Sequence, residues 1–114
     1  DTIGAPAIAA DDAFADWFIL GRAVPDWRGI DLPNHPVLGR KNGAVVAEGT
    51  GANALGDPRI ALTWLANHLA RRNTPLESGH VVTTGTCVKP VEIEAGDTVV
   101  ADFGPLGTVT AHFD

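Results

Sequence analysis

Thr83-Thr84-Gly85-Thr86 places three hydroxyls around a glycine at the end of an apolar stretch. Hydroxyls and free backbone amides at such a strand end could hold a substrate carboxylate. The same residues could equally bond their own turn, as threonines at strand ends often do. Just beyond stand Cys87 and Lys89. An ammonium two residues from a thiol favours the thiolate, yet no histidine stands near in sequence to serve as its base, so nucleophilic catalysis is not expected. Asp11, Asp12 and Asp16 form an acidic group in which Asp12 and Asp16 would share one helix face. Two carboxylates without further ligands are a weak basis for Mg²⁺, and solvated acids are the simpler reading. Glu48 could act as a general base if partly buried; on a strand it shares a face with Val46, and a solvent-facing position is expected. His35, His68, His80 and His112 show no metal-binding spacing.

Gly49, Gly51 and Gly56 precede a helical pattern and resemble a phosphate loop from a distance. The dinucleotide spacing G-x-G-x-x-G is not met. The G-x-x-x-x-G spacing from Gly51 to Gly56 is followed by Asp57-Pro58 where Lys and Ser/Thr are needed. A phosphate binds a helix start through free N–H groups and the positive dipole end. Here Asp57 would repel it and Pro58 removes a donor. The glycines are read instead as places where the backbone approaches another segment closely.

The elements that position these residues follow from local patterning. Trp17 to Gly21 is a continuous apolar run and reads as a buried strand, after a stretch in which a short helix over Ala9 to Asp16 is conceivable. Pro25, Gly29, Pro33 and Pro36 make residues 22–36 a loop. Asn42-Gly43 between two strand-like runs predicts a hairpin, with strands over Val37 to Lys41 and Ala44 to Thr50. Asp57 as N-cap and Pro58 at the first helical position open a helix. Its stripe of Leu62, Leu65, Ala66 and Leu69 is expected to be buried, Trp64 to pack on a sheet or a neighbouring subunit, and His68 to face solvent. Asn73 and Pro75 end it. Further strands are predicted over His80 to Thr84, Thr98 to Phe103 and Thr108 to Phe113. Mostly strand with one central helix makes an α+β or mixed-sheet domain.

The 114 residues suit a single domain, with 45% hydrophobic and 19% charged content. The net charge is −6, and residues 1–31 carry six acids against two arginines. No basic stripe could neutralise a phosphate backbone, which argues against nucleic acid as a partner. No apolar run reaches the roughly 20 residues of a membrane helix, and no signal peptide is visible. A single cysteine fits a reducing cytoplasm. The chain contains no methionine and opens on Asp1, so it is expected to be processed or to be part of a longer chain.

The stretch EGTGANALGDPRIALTWLANHLA resembles the C-terminal part of the 2-keto-4-pentenoate hydratase and 4-oxalocrotonate decarboxylase family, within the fumarylacetoacetate hydrolase superfamily. The resemblance rests on Gly49 to Gly51, on Leu55 to Pro58 and on Trp64 to Ala66. It extends to VVTTGT, to the Gly96-Asp97 turn and Leu106-Gly107, and upstream to AADDAFADWFILG, where the family has Ala-Asp-Asn. It covers about Ala10 to Phe113. It implies a strongly curved mixed β-sheet with one long helix, and a lyase of aromatic catabolism that uses Mg²⁺ or Mn²⁺ to hold a 2-keto or 2-hydroxydienoic acid. The family's metal-binding glutamates and catalytic lysine lie upstream of the matched segment, so no metal ligand and no catalytic residue is assigned to this chain. By resemblance the Thr-Gly turn borders the pocket, so Thr84, Gly85 and Thr86 are taken as substrate-binding candidates. Asp11 joins them because it matches the family's aspartate.

The chain departs from the family at Asp12, Phe14, Ala15 and Asp16, where the family has asparagine followed by small and polar residues, and at Cys87 and Lys89, where it has small or apolar ones. The expected partner is a small 2-keto or 2-hydroxydienoic acid, with no nucleic acid and no membrane. A homo-oligomer is expected because so short a sheet leaves edges and apolar surface open. A metal-free small-molecule binder or cyclase-like protein on the same fold, or a non-catalytic subunit, is the alternative.

Overall fold

The computed structural model describes residues 18–114. The helix considered over Ala9 to Asp16, and with it Asp11, Asp12 and Asp16, lies outside the described residues. The sheet has four strands, β1 (Pro36–Lys41), β2 (Ala44–Thr50), β3 (Thr98–Asp102) and β4 (Thr108–His112), in the order β2-β1-β3-β4. All three pairings are antiparallel, where a mixed sheet was expected.

The β1–β2 hairpin turns where the sequence places it. Asn42 and Gly43 both have positive φ, 52° and 87°, as a tight type I′ turn requires. Asn42 also does more than turn the chain. Its Nδ2 donates to Asp97 Oδ1 at 2.8 Å and its Oδ1 accepts from the Thr98 amide at 2.9 Å. The hairpin tip is thereby tied to the turn that enters β3. The register of β1 and β2 shifts between Gly39 and Arg40, which leaves Val46 as an extra residue on β2. Such a bulge on an outer strand discourages pairing with another chain. Arg40 reaches diagonally across to Asp102 on β3, and the two form an ion pair. That pair and the Gly104 amide hold the Asp102 carboxyl below its usual range.

Helix α1 (Pro58–Arg71) is defined at both ends by local chemistry. The Asp57 side chain accepts the Arg59 amide at 2.9 Å, and Pro58 occupies the first turn. At the other end Asn73 takes φ 59°, the Asn73 amide donates to Ala70 O at 3.2 Å and the Thr74 amide to Leu69 O at 3.0 Å. That pair of bonds satisfies the last carbonyls in the Schellman manner.

Several expectations are corrected. The helix stripe is not buried: Leu62 is 39% exposed, and no residue of α1 is buried. Trp64 is 59% exposed, so of its two expected partners, a sheet or a neighbouring subunit, the sheet is not the one it packs on. It stacks on His68 with ring centroids 4.8 Å apart, so His68 is half-buried rather than open to solvent. Trp17 to Gly21 and His80 to Thr84 were read as strands. Among the described residues neither run pairs in the sheet, and Phe18, Leu20 and Val81 are 59%, 68% and 58% exposed. An apolar run gives a strand only where backbone donors and acceptors find partners in a neighbouring strand, and among the described residues these two have none there.

The core is small and lies on one face of the sheet. Val37 and Ala54 are exposed by only 4% and 3%. The segment from Gly85 to Val91 lies over Val37, Gly39 and Val99, with a half-open void of about 180 Å³ between them.

Candidate functional site

The glycine loop is a docking point for other backbone. A Cβ on Gly49 would lie 1.8 Å from the Cys87 carbonyl oxygen, and one on Gly51 would lie 1.9 Å from the Leu32 carbonyl oxygen. Only glycine allows either approach. Around these contacts the loop is stitched in place. Asn53 Nδ2 donates to the Cys87 carbonyl at 2.6 Å, the Gly51 amide to His35 O at 3.1 Å, and the Ala52 amide to Pro33 O at 2.8 Å. At the helix start Arg59 pairs with Asp57 at 2.6 Å, and its hydrogen bonds hold the Asp57 carboxyl below its ordinary range. A carboxylate thus occupies the place where a phosphate would bind, in agreement with the reading of this loop as structural.

The loop fixes the segment that carries the threonines. Because Cys87 is clamped against Gly49 and Asn53, the preceding turn is held against the sheet. Gly85 has φ 138°, and a Cβ there would meet Ala54 Cβ at 3.2 Å. Thr83 lines a groove of about 750 Å³, whose walls include Phe18, Leu20, Val81, Phe103 and Val109. Thr84 is half-buried, Thr86 is exposed, and Gly85 sits at the edge of the void beneath the sheet. The structure therefore sets Thr83 in the groove wall, next in sequence to the candidates Thr84 and Gly85. Candidate Asp11 lies outside the described residues.

The remaining candidates separate from this groove. Cys87 is half-buried at the void beneath the sheet, and burial pushes its thiol above the usual value. It is a packing residue there, in line with the expectation that it is no nucleophile. Glu48 is exposed and lines a different cleft of about 590 Å³, with Lys41, Asn53, Lys89 and Glu92. His35 bonds through Nε2 to the Phe103 carbonyl at 2.5 Å, and His112 through Nδ1 to Thr98 Oγ1 at 2.8 Å. Among the described residues no three His, Cys, Asp or Glu side chains come together in a way that could hold a metal ion.

Sequence reasoning passed over three residues that the site uses. Asn53 clamps the threonine segment, Phe103 walls the groove at the end of β3, and Arg22 lines the groove directly after the Phe18–Gly21 run. Asn53 was legible as the polar residue inside the glycine loop. Phe103 and Arg22 depend on a fold that brings residues 18–23 beside residues 103–109, and no local pattern encodes that.

The fumarylacetoacetate (FAA) hydrolase C-terminal family matches residues 5–114. The chain belongs to this family. Among curated proteins it is 38% identical to the 2-keto-4-pentenoate hydratase of Burkholderia vietnamiensis, over 91% of this chain and 40% of that protein. It is 34% identical to the 4-oxalocrotonate decarboxylase of Pseudomonas putida, over 94% of this chain and 40% of that protein. The solved 4-oxalocrotonate decarboxylase from Pseudomonas putida G7, complexed with calcium and acetate, superposes with a TM-score of 0.84 at 34% identity. It is covered over 42% of its length by 95% of this chain. The same enzyme complexed with magnesium and adipate gives a TM-score of 0.83 at 34% identity, over 95% of this chain and 41% of that one. The chain thus spans about 40% of the length of the curated relatives it matches.

The resemblance read from the Gly-x-Gly loop, the Leu-Gly-x-Pro turn and the Trp-Leu-Ala helix is borne out, as are the α+β class and the likeness to the FAA hydrolase C-terminal fold. A divalent metal accompanies the solved relatives. The residues described here do not fit such a centre, and none is assigned to it. Among the described residues no helix is long and apolar enough to cross a membrane.

Proposed function

We propose that this chain forms the substrate-groove part of a metal-dependent lyase of the 2-keto-4-pentenoate hydratase and 4-oxalocrotonate decarboxylase type, acting on 2-hydroxydienoates or related 2-keto acids. In this reading it works as the C-terminal part of a longer hydratase/decarboxylase-like protein, in the cytoplasm and as a homo-oligomer. The observation that carries the reading is the groove itself. An apolar trough bounded by Phe18, Leu20, Val81 and Val109, with the Thr83 hydroxyl in its wall, suits a short unsaturated carbon chain ending in a carboxylate. It lies on a fold whose solved relative holds adipate.

Each part of the groove has a task within that reading. The apolar walls strip water from the carbon chain and strengthen every polar contact made inside. Thr83 offers a hydroxyl donor to the carboxylate from the groove wall, and Thr84, Gly85, Thr86 and Asp11 stand as further substrate-binding candidates. The clamp of Cys87 on Gly49 and Asn53 holds the threonine segment in place before the substrate arrives. Metal ligation falls outside the described residues.

The test is an ultraviolet assay on the protein that carries this chain, with 2-hydroxypenta-2,4-dienoate and then 2-keto-4-hexenedioate as substrates, in Mg²⁺ and in EDTA. Metal-dependent loss of one substrate is expected. Thr83→Val is expected to lower kcat/KM by about tenfold or more, the usual loss for one hydrogen bond to a charged group. Loss of neither substrate under any metal overturns the lyase reading and leaves a metal-free binder, a cyclase-like protein or a non-catalytic subunit. A companion titration with adipate, the dicarboxylate held by the solved relative, reports on the groove apart from catalysis.

A further inference from the structure

The groove is mostly apolar and, among the described residues, carries one charged side chain. Arg22 lines it, together with the hydroxyl residues Thr83 and Thr108, and among the described residues no acidic, histidine or lysine side chain does. Arg22 follows the exposed Phe18–Gly21 run and enters no ion pair among the described residues. The setting gives that single cation weight. The protein carries a net charge of −6, so an anionic ligand approaches against the overall field, and a local positive charge must offset it.

We infer that Arg22 is the carboxylate-recognition residue of this groove, its guanidinium pairing with the terminal carboxylate of an acyclic acid while the apolar walls take the carbon chain. The assignment rests on the groove being the substrate site. A guanidinium presents parallel N–H donors that match a carboxylate in bidentate geometry, and an ammonium cannot reproduce that fork. Thr83 and Thr108 supply neutral hydroxyls on the same groove, suited to a keto or enol oxygen. The ligand class is therefore a carboxylate with an oxygen-bearing, otherwise hydrophobic chain. A neutral amide of the same shape would bind without the charge-assisted pair.

The experiment compares wild type, Arg22→Gln and Arg22→Lys in the protein that carries this chain. Adipate and its uncharged isostere adipamide are titrated by calorimetry, and amide shifts are followed by NMR. Arg22→Gln is expected to weaken adipate by about tenfold to a hundredfold, the range for one charge-assisted hydrogen bond, and to leave adipamide unchanged. Arg22→Lys is expected to fall between the two. Shifts caused by adipate should centre on Thr83, Gly107 and Thr108. If wild type and Arg22→Gln bind adipate equally at those residues, the Arg22 assignment is overturned and the groove reading stands. If adipate shifts residues elsewhere, or wild type does not bind it, the groove reading falls and the assignment falls with it. Arg22 is exposed, so its substitution leaves the core intact, and matching spectra of the free proteins verify this.

Discussion

Gly49→Ala probes the clamp on which the site depends. The new Cβ would stand 1.8 Å from the Cys87 carbonyl oxygen and 2.8 Å from Asn53 Nδ2. Non-bonded heavy atoms settle near 3.5 Å, so the two backbones must separate by more than about 1.5 Å. No rotamer can relieve the clash, because the obstructing atom is main chain. Overfilling a packed site costs about 1–3 kcal/mol. The Asn53–Cys87 hydrogen bond, 2.6 Å long, is lost as the backbones part, at about 1 kcal/mol more. The expected loss is about 2–4 kcal/mol, a large share of a typical domain's 5–15 kcal/mol. Urea unfolding followed by circular dichroism measures it. Gly29→Ala is the control, since a Cβ there meets nothing within 4 Å, and it should stay within about 0.5 kcal/mol of wild type. The folded fraction of Gly49→Ala should also bind adipate more weakly, because Cys87 belongs to the segment that positions Thr83 to Gly85. A Gly49→Ala protein as stable as the Gly29→Ala control would refute the close approach. A destabilised one with unchanged adipate binding would refute the link from clamp to groove.

Three further outcomes are expected. Val37→Ala removes two methyl groups from a side chain only 4% exposed and should cost about 2 kcal/mol in urea unfolding; a cost below about 0.5 kcal/mol would show that the sheet face is not the core. The Asp102 carboxyl is held low first by its bond to Arg40 and then by the Gly104 amide. A depressed folded-state value means that its contribution is full above the unfolded value near pH 4 and fades as pH falls through the lower folded value. Asp102→Asn should therefore flatten part of the acid slope below about pH 4, and an identical slope in the variant would count against the pair. Burial raises the Cys87 thiol, so iodoacetamide should alkylate it more slowly than free cysteine at pH 8 and speed up as pH rises beyond the usual thiol range; a rate equal to free cysteine would place the thiol in solvent.

What could be read from the sequence was local. Asn42-Gly43 demands positive φ twice and so fixes a hairpin without reference to the rest of the chain. Asp57-Pro58 and Asn73 mark the two ends of α1 by the hydrogen bonds they supply. The reading of Gly49 and Gly51 as points of close backbone approach was a chemical argument about one loop, and the contacts with Cys87 and Leu32 bear it out. The α+β class followed from the succession of such elements, and the family from three motifs at fixed distances. The groove was not legible in the same way. Arg22 and Phe103 are 81 positions apart, and nothing local in either says that the Phe18–Ala23 run will lie beside the end of β3. Thr83 was weighed with its neighbours but could not be told from Thr84 without the path of the unpaired segment.

The same distinction explains where the reading of burial failed. Leu62, Leu65, Ala66 and Leu69 form an apolar stripe at helical spacing, and Trp17 to Gly21 and His80 to Thr84 are apolar enough for buried strands. Hydrophobic periodicity states that a face avoids water. It does not state what covers it. Among the described residues the extensive packing is strand on strand, while Phe18, Ile60, Trp64 and Val81 each stay more than half exposed. Scattered exposed apolar residues are ordinary, but an uncovered helix stripe and two unpaired apolar runs together are not. In the proposed reading the helix stripe belongs to a unit that sits inside a larger body. The chain matches its relatives over about 40% of their length, and in the proposed reading the covering surface comes from the remainder and from neighbouring copies. The β2 edge is the exception that supports this. It carries a bulge at Val46 and a charge at Glu48, devices that keep a strand from pairing, so the surface left open for covering is the apolar stripe of the helix rather than the sheet edge.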